Sequence, residues 1–136
     1  MDLTQAFADR LNDPTLNAML AIYRGDPAVF TNDHVPTDAT LPFLVTAGEI
    51  GAAPFDTKTS TGRDVLRDIG CYAEDDGSPA VVEAIAERVR VLFHRHRLTV
   101  SGGHTIIAAA DPPIKAPTED GIVGRIVQVR LVVMDA

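Results

Sequence analysis

Tryptophan is missing from this chain, cysteine occurs once, and the aromatic share is only 5%. A single cysteine, Cys71, has no intramolecular partner, so a disulfide framework is excluded. Set in an apolar stretch, it reads as a small buried hydrophobe rather than a nucleophile. No apolar run approaches the roughly 20 residues of a membrane-spanning helix. The first ten residues also lack the basic-then-apolar pattern of a secretory leader. The expectation is a cytosolic chain with no membrane partner. Basic residues are scarce as well: 12 Lys and Arg face 19 Asp and Glu, a net charge of −7. Affinity for nucleic acid comes largely from counterions released by Lys and Arg, so tight DNA binding is not expected. The same balance suits a surface past which nucleic acid slides without adhering.

What is present is an ordinary globular composition, 46% hydrophobic and 23% charged over 136 residues. That length suits one domain, residues 1–136. Leu3, Phe7 and Leu11 recur every four residues and predict a short amphipathic helix over 2–12. Asp13 and Pro14 then open a second helical turn carrying Leu16, Met19 and Leu20. Residues 25–40, rich in Asp, Pro, Thr and Asn, read as an irregular connection with one extended piece near Val35. Residues 42–50 read as a strand with Phe43, Val45 and Ala47 on one face, and 63–74 as its partner with Val65, Ile69, Cys71 and Ala73 together. Arg67 falls on that apolar side and breaks the alternation. Between these strands residues 51–62 predict a long loop bracketed by Gly51 and Gly62.

Ser78 and Pro79 are a helix-start pair, and Val82, Ile85, Val89, Leu92 and Phe93 make one stripe behind them. Residues 98–100 and 104–110 around Ser101-Gly102-Gly103 predict a hairpin, 111–121 with three prolines a loop, and 122–134 a last strand with Val127, Val129, Leu131 and Val133 on its buried face. The sum is an α+β fold: a mainly antiparallel sheet with one principal helix packed on it, short N-terminal helices, and a long loop between two central strands.

Chemistry finds little support in these residues. His94 and His96 stand two apart, where side chains on a helix do not share a face, and no ligand spacing joins them to His104. The run His94-Arg95-His96-Arg97 reads instead as a solvated basic helix end. Phe55-Asp56-Thr57 invites comparison with the Asp-Thr-Gly of aspartic proteases, but Lys58 stands where the glycine is needed. Ser101 lacks the preceding glycine of a nucleophile elbow, and neither phosphate-loop nor dinucleotide fingerprint occurs. Catalytic, cofactor-binding and metal-ligating residues are therefore expected to be none.

One loop remains. Pro54, Phe55, Asp56, Thr57, Lys58 and Thr59 place a large apolar ring among polar residues, away from either strand core. An exposed aromatic at a loop tip marks a contact surface, whereas the plainer reading folds Phe55 back on its own sheet. The order Leu41-Pro42-Phe43-Leu44-Val45, a glutamate, Pro54-Phe55-Asp56-Thr57-Lys58-Thr59, a glycine and a strand resembles the tail terminator or tail completion family of long-tailed phages, also met in prophages and gene transfer agents. Tyr72 stands near the family's strand-ending aromatic, and the helix after Pro79 and the last strand fall where the family has theirs.

The resemblance implies an α+β protein of the virion, not an enzyme and without cofactors. It would form a homohexameric ring that caps the finished tail tube and joins the tail to the head connector, assembled in the host cytoplasm. Its partners would be copies of itself, the tail tube protein and a connector or stopper protein, with DNA passing through the lumen without tight or specific binding. Pro54 and Phe55 would anchor a subunit or tube contact, and Asp56, Thr57, Lys58 and Thr59 would orient it. Competing readings are another head-to-tail joining protein such as a stopper or connector component, a small hydrolase with a His and Asp site that a pH-dependent activity involving His104 would support, and a nucleic-acid-binding module, which the charge opposes.

Overall fold

Leu3, Phe7 and Leu11 bring one face of α1 (Leu3–Leu11) against the core, and Asp13 stops and restarts the chain. The Asp13 carboxylate accepts from the Leu16 amide at 2.9 Å, and Pro14 fills the first turn of α2 (Pro14–Asn17), where no amide is needed. In the computed structural model, which describes residues 3–31, 35–46, 48–98, 100, 102–116 and 121–135, three two-residue strands follow. They are β1 (Ile22–Tyr23), β2 (Asp26–Pro27) and β3 (Val29–Phe30). The described extended structure of this connection lies in β2 and β3; residues 32–34, beside Val35, lie outside the described residues.

The rest runs β4 (Phe43–Val45), β5 (Glu49–Pro54), β6 (Gly62–Glu74), α3 (Ala80–Phe93), β7 (Gly103–Ala110), β8 (Ile114–Lys115) and β9 (Ile122–Asp135). β6 and β9 are the spine: they pair antiparallel along their whole length, from Gly62 opposite Met134 to Glu74 opposite Ile122. Each flank carries two segments. β4 and β5 both pair with β6, while β7 and β8 both pair with β9, and β3 joins β4 in parallel, the one exception to an antiparallel sheet among the described residues. The fold is therefore α+β, with helices on one face of the sheet.

That face holds the core. Val65, Ile69, Cys71 and Ala73 of β6 and Val127, Val129, Leu131 and Val133 of β9 meet Val82, Ile85, Ala86, Val89 and Phe93 of α3. Leu92 is only half-buried at the margin of the stripe. Phe7 stacks on Phe93 at 4.9 Å between ring centroids, which ties α1 to α3. Ser78 Oγ accepts from the Ala80 amide at 3.3 Å, so Ser78 supports the start of α3 while Pro79 occupies the cap position just before it. Burial pushes the Cys71 thiol up to about 12, in keeping with an inert core residue.

Three sequence expectations are corrected. Residues 42–50 are two strands, broken at Thr46, and Leu44 is the buried residue of β4. Phe43 turns to the other face, joining a row of rings from Tyr23 through Phe30 to Tyr72 at spacings of 5.2, 5.6 and 5.6 Å. Ala47 lies outside the described residues. Leu98 and Val100 are buried but not in a strand, because Leu98 lends its carbonyl to the Thr105 hydroxyl (3.1 Å) instead of a ladder. Ser101 lies outside the described residues. The prolines of residues 111–121 still leave room for β8, which pairs Ile114 with Ile126.

Candidate functional site

β5 and the turn after it form an arm. Residues 51–54, expected in the long loop, continue the strand as far as Pro54 opposite Arg63, so the loop shrinks to residues 55–61. A β-hairpin forms here, with Gly51, Ala52 and Ala53 paired to Leu66, Val65 and Asp64 across the ladder. Every residue from Glu49 to Ser60 is exposed, including Ile50 at 55% and Phe55 at 38%. The arm is an edge of the sheet that α3 and the other helices do not cover.

Its tip has a built shape. The Phe55 amide donates to the Gly62 carbonyl (2.9 Å), closing the ladder. Asp56 Oδ1 accepts from the Gly62 amide at 3.1 Å, and Thr57 Oγ1 accepts from the Ser60 amide at 3.1 Å. The Thr57 amide donates to the Ser60 carbonyl (2.9 Å), and the Asp135 amide to the Thr61 carbonyl (2.8 Å), which pins the loop to the end of β9. Asp56 and Thr57 thus shape the turn, leaving Phe55, Lys58 and Thr59 displayed. Gly62 is required by closeness: a Cβ there would sit 2.7 Å from the Phe55 carbonyl and 2.8 Å from that of Val133, and would strike the Met134 sulfur.

The root of the arm is charged. Arg67 of β6 is fully buried on the apolar side, its guanidinium 4.7 Å over the Phe7 ring. It donates to Thr46 Oγ1 (2.9 Å), the Thr46 carbonyl (3.1 Å) and Thr4 Oγ1 (3.2 Å), and faces the Glu49 carboxylate at 3.6 Å. One side chain therefore joins α1, the break after β4 and the first residue of β5. The break in alternation at Arg67 was its sequence signal; nothing local pointed to Thr46, Thr4 and Glu49.

On the uncovered face beside the root, Val45, Ile50, Asp68 and Tyr72 line an open groove of roughly 400 Å³. Burial pushes the Asp68 carboxyl above its ordinary range, with a hydrogen bond from Gln128 opposing the shift. Nearby, Arg130 grips Asp64 with two hydrogen bonds of 3.0 and 2.7 Å and holds that carboxyl below its ordinary range. Gly70 leaves room for Tyr72, whose ring would lie 2.8 Å from a Cβ at that position. His94 Nδ1 accepts from the Ala110 amide (3.2 Å), while His96 and His104 are exposed. Among the described residues no three His, Cys, Asp or Glu side chains gather as a metal-binding group, and no helix is long and apolar enough to cross a membrane.

Residues 7–131 match the family described as Tail completion protein gp17, a span that includes the arm, Arg67, all of β6 and β9 as far as Leu131. The chain belongs to the tail completion protein gp17 family. It is accordingly a structural protein of a phage-type tail. A chain in the virion of a native gene transfer agent (GTA) particle shares the fold, with a TM-score of 0.75 over 98% of this chain and 95% of that one at 19% identity. No curated protein matches by sequence. In this family member Pro54 closes β5, and Phe55, Asp56, Thr57, Lys58 and Thr59 follow in the tip, so all six residues singled out in the sequence fall on one contiguous exposed arm.

Proposed function

We propose that this chain is a non-enzymatic tail terminator. In this reading residues 1–136 are one domain that forms a hexameric ring, caps the completed tail tube and joins the tail to the head connector or stopper protein. The ring sits at the head–tail junction of the virion after assembly in the host cytoplasm, and DNA passes through its lumen without tight binding. Membership of the tail completion family supports the setting, and the net charge of −7 suits a lumen that phosphates do not cling to.

The observation that carries the proposal is the pre-shaped, exposed tip. A ring needs contacts in which one patch meets a different patch on the next subunit. A loop already held by Asp56, Thr57 and the Asp135 amide loses little freedom on docking, so contact energy is not consumed in ordering it. Pro54 and Phe55 supply the apolar anchor, and Lys58 and Thr59 the polar rim, toward a neighbouring subunit or the tube.

Phe55→Ala tests this. The monomer should melt at the same temperature, since the ring is exposed, while ring formation and tail joining weaken by roughly tenfold or more, as for an anchor worth on the order of 2 kcal/mol. Normal rings and normally joined tails from this variant would remove the tip from the contact.

A further inference from the structure

Between the end of β4 and the start of β5 the flank of β6 is open. Val45 closes β4 opposite Gly70, and pairing resumes at Glu49 opposite Arg67, so Asp68 and Ile69 have no ladder partner on this side among the described residues. The period of two turns Asp68, Gly70 and Tyr72 away from the helices. Residues directly opposite one another share a face, so Val45, Gly70, Ile126 and Ile114 form one row across it. Gly70 is the dip in that row. There the groove of roughly 400 Å³ opens, with Val45, Ile50, Tyr72 and Ile126 as its apolar walls.

One carboxylate stands in this apolar setting. Asp68 borders the groove, and its Oδ1 is closed off from water with no hydrogen-bond partner among the described residues. Gln128, opposite it on β9, bonds the carboxyl, but an amide carries no charge to balance it. Arg130 lies on the same face two residues further along β9, yet its guanidinium is committed to Asp64 by two hydrogen bonds. A carboxylate drawn partly out of water without a counter-ion is costly, and the upward push on the Asp68 carboxyl expresses that cost. A cation brought to the groove from outside would offset it.

The arm tip carries the matching groups. Phe55 is exposed, and Lys58, three positions later, is exposed with no ion pair among the described residues. Gly70 and Asp68 are two strand residues apart, about 7 Å, a separation that a ring and a lysine at this spacing can bridge. The tip cannot reach its own groove. The Phe55 amide closes the ladder at Gly62, and the strand from Gly62 to Asp68 is about 20 Å long. A second copy brings the tip in from outside, and because every copy owns one tip and one groove, the contact repeats head to tail.

We propose that the arm tip of one copy seats in the groove of the next, with Phe55 against Val45, Tyr72 and Ile126 and the Lys58 ammonium beside the Asp68 carboxylate. This deepens the ring reading and rests on it. Burial of the ring supplies attraction, and the charge pair fixes orientation.

The test places the photoreactive analogue benzoylphenylalanine at Phe55, irradiates assembled rings and maps the attachment by mass spectrometry. Covalent multiples of the chain, joined at Val45, Ile50, Tyr72 or Ile126, are the expected result. Alongside it, Lys58→Ala and Asp68→Asn should each raise the concentration needed for rings at least tenfold. Because the two act on one contact, the double variant should be no more than about threefold worse than either single one. Asp68→Asn should also keep or raise the monomer's melting temperature, since it removes an unbalanced charge.

Attachment to another part of the chain, or to the tube protein alone, would overturn the proposal. So would full additivity of the two substitutions. In either case rings that still form would leave the ring reading standing. If the unmodified chain forms no rings, alone or on tail tubes, the ring reading itself fails and the contact with it.

Discussion

Arg67 stands where the two-residue period of β6 asks for an apolar side chain, and it is buried without exposing any of its surface. Thr46, Thr4, Glu49 and the face of Phe7 help make that tolerable. Arg67→Ala should cost about 3 kcal/mol, because it opens a cavity beside Phe7 and strips hydrogen bonds from Thr46. Thermal melting checks this, with a fall of roughly 10 °C expected. Arg67→Met, which keeps the volume, should lose less, and an unchanged melting point in both would deny Arg67 its anchoring role. That Arg67 was unusual could be read from the broken alternation. Its meaning could not, since Thr46 and Thr4 lie 21 and 63 positions away and only the folded chain brings them together.

Periodicity and turn chemistry located most elements correctly, and the failures share a cause. α1, α3, β6 and β9 bury one face along a long stretch, so their apolar residues repeat with a clear period. β5 buries neither face, and its small residues carry no alternation; only the neighbouring β6 makes it a strand. Residues 98–100 mislead in the opposite sense: Leu98 and Val100 are buried like strand residues but serve to cover the core beside β7.

The cap of α2 was legible, and its second duty was not. Asp13 also takes two hydrogen bonds of 2.9 Å from Arg88 of α3, tying the N-terminal lobe to the main helix. The Arg88 hydrogen bonds, then the Leu16 amide, hold the Asp13 carboxyl below its ordinary 3.8. A carboxyl depressed by folding contributes stability that is complete above the unfolded value and fades as the pH falls through the folded one. Asp13→Ala should therefore lower stability by about 1 kcal/mol at neutral pH from the cap alone. The gap to the unaltered chain should close below pH 3.8, as melts at a series of pH values will show.

For the whole molecule, the paired β6–β9 spine has helices on one face and the arm standing clear at one edge. The α+β class was readable from the order of elements, and the six residues of the arm from the conjunction of an exposed Phe55 with a family-like loop. The exposure of Ile106 and Ile107 on β7 was hidden, because a bulge that exposes both leaves no mark in an apolar run. The most direct test is electron microscopy of the purified chain added to finished tail tubes. The account predicts a closed six-membered ring seated on the tube end, and single subunits bound there without a ring would contradict it.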